Sequence, residues 1–263
     1  MNLTFIKRSI VIFTGILLVT SCKEYQFATV ISDTYRPEIH ENVIENDTVL
    51  IRYLFLGENC PITVSIFNKL KQPLYVDWSK SSVIINSEKR SYWVDEAKIN
   101  STSRELSYQY TKSISTTYGN MHGSIIKNEK ISFIPPNAGV VYTPIQIQPN
   151  WIEVGSDEYT GEKVKIATEY GVVKGNAFTY NKSQTPLNFR SFLTISTDEQ
   201  FTKPIYYDNA FWVSEIFSTK AKPEELSNIF PNQFHNTRTT KAGVFFGGVL
   251  LGALVLTWIL AAN

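Results

Sequence analysis

Side chains that do chemistry are scarce in this 263-residue chain, which holds three histidines and two cysteines, Cys22 and Cys60. A metal site needs several ligands brought to one point. Neither His40, in Glu38-Ile39-His40-Glu41, nor His122, after Met121, has a second histidine near it. Carboxylates are plentiful, but Asp157-Glu158 and Asp198-Glu199 both stand in turn-like surroundings where a solvated charge is the ordinary state. No glycine-rich phosphate cradle, HExxH, CxxC or GxSxG occurs. The expectation is a noncatalytic protein with no metal and no cofactor. Cys60 precedes Pro61-Ile62 at a strand start and is expected to be a buried, inert thiol, since a reactive one needs an electropositive setting.

Cys22 is the residue whose setting points to a covalent event. Lys7-Arg8 precede the apolar run from Ile10 to Val19, and the small residues Thr20-Ser21 follow, which is the layout of a secretory signal. Val19-Thr20-Ser21-Cys22 resembles the lipobox of bacterial lipoproteins. That resemblance implies that residues 1–21 are removed and that Cys22 becomes a diacylated, palmitate-type N-terminus in the cell envelope. Cys60 would then have no partner within the chain, and no disulfide framework is expected.

A second membrane signal closes the chain. Gly243 to Ala261 is uncharged, and as a helix it would span roughly 28 Å, close to the hydrocarbon thickness. A helix apolar on every side has no place in a β core, so residues 242–262 are expected to be a transmembrane helix. Gly243/Gly247 and Gly248/Gly252 each form a GxxxG pair that lets helix backbones approach closely. These four glycines are candidates for helix association, in a homo-oligomer or an envelope complex. Arg238 and Lys241 precede the tail and nothing basic follows it, the reverse of the positive-inside bias. The leader is the stronger signal for an exported domain, and both the inner and the outer membrane stay open.

The stretch between these ends reads as strands. Val49 to Leu56 is nearly continuous apolar sequence, Ile62/Val64/Ile66 and Leu74/Val76/Trp78 alternate with other residues, and Val83 to Ile85 and Tyr92 to Val94 follow. Period-2 runs separated by Gly57-Glu58-Asn59, Asn68-Lys69 and Asn86 to Lys89 argue for half-buried strands joined by turns. The expected core is Ile51, Tyr53, Ile62, Val64, Ile66, Val76 and Trp78. Strand patterning returns in Ile131–Pro149, Leu187–Thr197 and Ile205–Ser218, whereas Trp151–Lys182, punctuated by glycines, reads as loops around short strands. The expected fold is mainly β, an antiparallel β-sandwich of immunoglobulin-like type over residues 47–218. Residues 22–46 read as a polar tether with Phe27–Ile31 as its one strand. A Ser/Thr/Tyr-rich excursion occupies about 100–130, and a short helix from Pro223 and a linker fill 219–241.

Several phrases in order resemble an uncharacterised lipoprotein family of Bacteroides-type bacteria. They are Ser65-Ile66-Phe67-Asn68-Lys69, Leu74 to Ser82, Ile134-Pro135-Pro136, Asn188 to Thr194 and Phe211 to Ile216. The likeness runs from about Cys22 to Ser218. It implies a lipoprotein and a β-sandwich, and it carries no catalytic residues.

Lysine and arginine number 25 against 24 aspartates and glutamates, for a net charge of +1, and the basic residues are scattered, so no nucleic-acid footprint is visible. Two functions compete. One is an envelope component that works through its membrane lipid, its anchors and its partners. The other is a surface binding module for glycan or host ligand, built on strand tyrosines such as Tyr75, Tyr108, Tyr110, Tyr206 and Tyr207.

Overall fold

A computed structural model describes residues 23–93, 129–154, 161–226 and 229–239, together with the backbone of 106–111 and 114–118. The chain is mainly β, in antiparallel and mixed sheets. Its strands are β1 (Lys23–Ser32), β2 (Tyr35–Arg36), β3 (Glu41–Glu45), β4 (Val49–Leu54), β5 (Gly57–Glu58), β6 (Pro61–Asn68), β7 (Leu74–Asp77), β8 (Ser82–Ile85) and β9 (Glu88–Ser91). There follow β10 (Leu106–Thr111), β11 (Ile114–Tyr118), β12 (Ile131–Ile134), β13 (Gly139–Gln146), β14 (Glu162–Thr168), β15 (Gly171–Thr179), β16 (Asn188–Ser196), β17 (Ile205–Thr219) and β18 (Gln233–Thr239).

Eleven strands form the larger sheet, with β12-β7-β16-β17-β1-β18-β5 as its main path, β8–β9 beside β16 and β14–β15 beside β17. Five strands, β13-β6-β4-β3-β2, form the second sheet, and β10–β11 is a separate hairpin. Strand β17 is the spine: β16 pairs with its first half, β15 with its last five residues, and β1 with its other edge. Strand β1 is itself flanked by β17 and β18, both antiparallel to it.

The two large sheets share one core. Ile51, Tyr53, Ile62, Val64 and Ile66 from one meet Val76, Leu193, Phe211 and Val213 from the other. Phe55 crosses the interface to Phe189 at 5.6 Å and to Phe211 at 5.3 Å, edge to face. Every residue of the expected core is at most 1% exposed. Side chains of this size contribute on the order of 1.5–3 kcal/mol each when removed from water.

Four expectations need correction. The stretch expected as a tether holding one strand, Phe27–Ile31, folds as β1, β2 and β3; that strand is the middle of β1, which is longer and lies in the interior of the sheet. Its polar residues do not keep it in solvent, because Gln26 is buried and satisfied: its Nε2 donates to the Ile152 carbonyl and its Oε1 accepts from the Ile152 N–H, both at 2.9 Å. The turn expected over Asn86–Lys89 closes on Asn86 and Ser87 alone, with φ of 50° and 67°. Glu88–Ser91 is therefore a strand, and the strand expected at Tyr92–Val94 is not found at Tyr92 and Trp93, while Val94 lies outside the described residues. The helix expected from Pro223 is a single 3-10 turn, Pro223–Glu225, and the linker expected from Asn236 is β18. The glycine-punctuated region holds two long strands, β14 and β15, rather than short ones.

Candidate functional site

The sites expected at the two ends, Cys22 and Gly243, Gly247, Gly248 and Gly252, lie outside the described residues, as do His122 and Asp157-Glu158. Among the described residues no helix is long and apolar enough to cross a membrane. Nor does any group of three or more histidine, cysteine, aspartate or glutamate side chains come together there as a metal site.

Cys60 is fully buried, and burial pushes its thiol well above the ordinary value. The Tyr92 hydroxyl donates to Ser191 Oγ at 2.7 Å, and Ser191 Oγ lies 3.2 Å from the Tyr53 hydroxyl, so three polar atoms satisfy one another between the sheets. Burial raises both phenols above their usual range. Glu41 and Arg52 form a half-buried ion pair at 3.4 Å, in which desolvation raises the Glu41 carboxyl despite the pull of Arg52 and Arg36. Asp198 caps its own loop, accepting from the Thr202 N–H at 3.1 Å and from the hydroxyls of Ser196 and Thr202. His40 does not point into solvent: its ring stacks on Phe230 at 3.7 Å, and Nδ1 lies 3.1 Å from the Tyr35 hydroxyl.

The strand tyrosines diverge. Tyr206 is 58% exposed and stacks on Phe192 at 5.3 Å, and Tyr75 lies edge to face with the exposed Phe133 at 5.5 Å. Tyr207, on the alternate face, points inward, and its hydroxyl accepts from Asn46 Nδ2 at 3.2 Å. Tyr108 and Tyr110 lie on β10, whose side chains are outside the described residues.

A groove of about 1250 Å³ lies at the end of the larger sheet where β1 begins and β17 and β18 finish. Alternation along β14 and β15 builds one wall of it. Val164, Ile166 and Val173 pack toward Phe27 and Phe217 on one face, which leaves Lys163, Lys165, Val172 and Lys174 on the other. Lys165 and Lys174 are register partners, so their Cβ atoms stand roughly 5 Å apart. Lys220, just past the end of β17, adds a further ammonium to the same wall. Like charges placed opposite one another repel. Among the described residues no carboxylate forms an ion pair with Lys163, Lys165, Lys174 or Lys220. At the far side Arg238 ion-pairs with Glu24 at 2.9 Å and lies 4.0 Å from the centre of the Trp151 ring. Five basic side chains line the groove against three acidic ones, so it favours anions. Its signal in the sequence was the alternation Lys163-Val164-Lys165-Ile166, which the neighbouring glycines obscured.

The fold thus defines a β protein whose surface chemistry is a basic, aromatic-edged groove and a set of exposed rings. The chain matches no family model and no curated protein or solved structure.

Proposed function

We propose that this protein is a noncatalytic cell-envelope lipoprotein. In this reading a β-sandwich of immunoglobulin-like type is held at Cys22 by acyl chains and at 242–262 by a membrane helix, and it serves as a structural or assembly component of a membrane complex. The observation that carries the reading is the pairing of Lys23 with Thr239 in adjacent strands. The residue before Lys23 bears the lipobox-like cysteine, the residues after Thr239 lead into the apolar tail, and both depart from the same end of the fold. A domain so arranged can be held at both termini by one membrane without opening a strand. The shared core of two sheets supports the sandwich assignment.

Membrane flotation and alkaline carbonate extraction test this on four proteins: the natural chain, Cys22→Ala, a chain ending at Thr239, and the combination. Cys22→Ala loses fatty-acid labelling, either single change leaves the protein bound, and only the combination is released. Undiminished labelling of Cys22→Ala, or extraction of the natural chain, overturns the reading. Purification in mild detergent addresses the assembly role, which predicts a stoichiometric companion or a homo-oligomer; a lone monomer contradicts it.

A second reading, a surface module for glycan or host ligand, is favoured by the exposed Tyr206 ring on Phe192. Saturable glycan binding that Tyr206→Ala abolishes would select it.

A further inference from the structure

Three neighbouring strands bring six polar side chains onto one wall of the groove. Lys163 is the register partner of Asn176, and Asn176 of Ser218, so β14, β15 and β17 contribute one row across the sheet face. Two residues further along, about 7 Å at the rise of a strand, Lys165 stands opposite Lys174, and Lys220 follows directly past the end of β17. The first row is an ammonium, an amide and a hydroxyl; the second is three ammoniums. Of the three carboxylates around them, Glu24 is held by Arg238 at 2.9 Å and Glu225 accepts from the Lys222 N–H at 3.2 Å. The cationic row therefore keeps a surplus of charge, and the repulsion between Lys165 and Lys174 is a cost that an anion set between them removes.

The chemistry of this wall selects among anions. At about 1250 Å³ the groove exceeds the roughly 300–1,000 Å³ that encloses a small ligand, and a chain of repeating units fills it better. Its unpaired cations are lysines, point charges that suit anions spaced along a polymer. The guanidinium of Arg238, which could grip a phosphate with a planar fork, is committed to Glu24 and the Trp151 ring. Nucleobases need several rings to stack upon. Here Trp151 carries Arg238 and Phe178 packs on the core, which leaves Tyr170, 71% exposed, as the open ring of the groove among the described residues. An extended acidic peptide adds its backbone to a sheet edge, whereas this wall is a sheet face whose backbone groups are already paired across β14, β15 and β17. The ligand that fits has hydroxyls, ring C–H faces and negative charges at intervals.

We propose that the groove binds an acidic polysaccharide, a sugar chain that bears carboxylates or sulfates along its length. Lys165, Lys174 and Lys220 hold the anionic groups, Asn176 and Ser218 bond to sugar hydroxyls, and the Tyr170 ring packs on a sugar C–H face. The turn that carries this ring is fixed, since the Tyr170 N–H donates to Thr168 Oγ1 at 3.2 Å and that hydroxyl donates to the Gly171 carbonyl at 3.1 Å. The site does not depend on the membrane anchors, and it lies at the other end of β17 from Tyr206.

The test measures binding of the full chain, in neutral detergent, to polygalacturonate, dextran sulfate, neutral dextran, polyglutamate and oligothymidylate. Saturable binding to the two acidic sugar polymers is expected, weaker as salt rises, with none to neutral dextran. Lys165→Gln with Lys174→Gln should weaken it roughly 2- to 30-fold, the range that two exposed ion pairs span. Lys71→Gln with Lys89→Gln removes the same charge from exposed sites elsewhere and should leave it unchanged. Tyr170→Ala should weaken binding of the acidic sugar polymers severalfold, and Tyr206→Ala should not. No binding to either of those polymers, or an equal loss from both lysine pairs, overturns the site. Abolition by Tyr206→Ala places glycan binding at the Tyr206 ring and overturns the groove. Polyglutamate or oligothymidylate held as tightly, with Tyr170→Ala without effect, overturns the sugar assignment.

Discussion

Tyr53 and Phe211 meet edge to face, 4.9 Å between ring centres and 66° between planes, and so join the five-stranded sheet to the spine of the larger one. Both are at most 1% exposed. Phe211 also stacks on Phe189 at 5.2 Å, so its ring is shared by three aromatic contacts. Phe211→Ala is expected to cost on the order of 3–5 kcal/mol, from lost burial and a cavity that a β framework cannot close. Tyr53→Phe, which removes only the hydroxyl beside Ser191, should cost about 1 kcal/mol. Denaturant unfolding of the detergent-solubilised chain followed by tryptophan fluorescence measures both. Equal effects would show that the rings do not couple the sheets.

Gly175 permits a close crossing of β15 over β17. A methyl group there would press on the Ser218 carbonyl oxygen and the Phe217 ring, and the carbonyl belongs to a paired strand that cannot give way. Gly175→Ala should therefore destabilise by roughly 1–3 kcal/mol, as overpacking does. Protease nicking of the β14–β15 hairpin reports it, and wild-type resistance would show that the strands part at no cost.

His235 gives the fold an acid-sensitive point. Burial holds its imidazole below the ordinary value of 6.5, against the opposing pull of Glu58 and Glu224. Below that value the unfolded chain binds a proton that the folded chain resists. Stability should fall as the pH drops from 6.5 through the depressed folded value, and this contribution is flat above 6.5. His235→Gln should flatten that part of the curve by one proton's worth of slope. Parallel curves for the two proteins would assign the acid sensitivity elsewhere.

Self-association through the tail, part of the proposed assembly role, has its own variants. Gly247→Leu or Gly248→Leu would obstruct close approach of helix backbones and weaken crosslinking in membranes, while flotation persists through the acyl chains and the remaining apolar surface. Unchanged crosslinking in both variants would make the tail an anchor only.

The region from Val49 to Ile85 was legible because its apolar runs are short, recur at period 2 in β6 and β7 and are parted by turn residues, whereas Glu88–Trp93 was misread because the polar Glu88–Ser91 looks like a turn and is a strand. Of strand β1 only the middle, Phe27–Ile31, was legible, since Gln26 and Ser32 mark its ends as polar when read alone; the partner that satisfies Gln26 is Ile152, far along the chain. Strand β18 hid for the same reason. Its Asn236 is buried and donates to the Asn150 carbonyl at 2.7 Å, a partner that no local pattern announces. The groove was illegible in a further sense, because its lysines become neighbours only when β14 and β15 pair in register.

The interior position of β1 also bears on how the chain is made. Its two partners, β17 and β18, are the last long strands to leave the ribosome, so the first strand synthesised waits for nearly the whole protein. At roughly 5–20 residues per second that wait is on the order of ten to forty seconds. Meanwhile both edges of β1 are open, and the spine that unites the larger sheet does not exist. Such a topology delays closure until synthesis is almost complete. Until then the open edges of β1 can pair with a wrong neighbour, so the topology makes the first strand the one most exposed to mispairing.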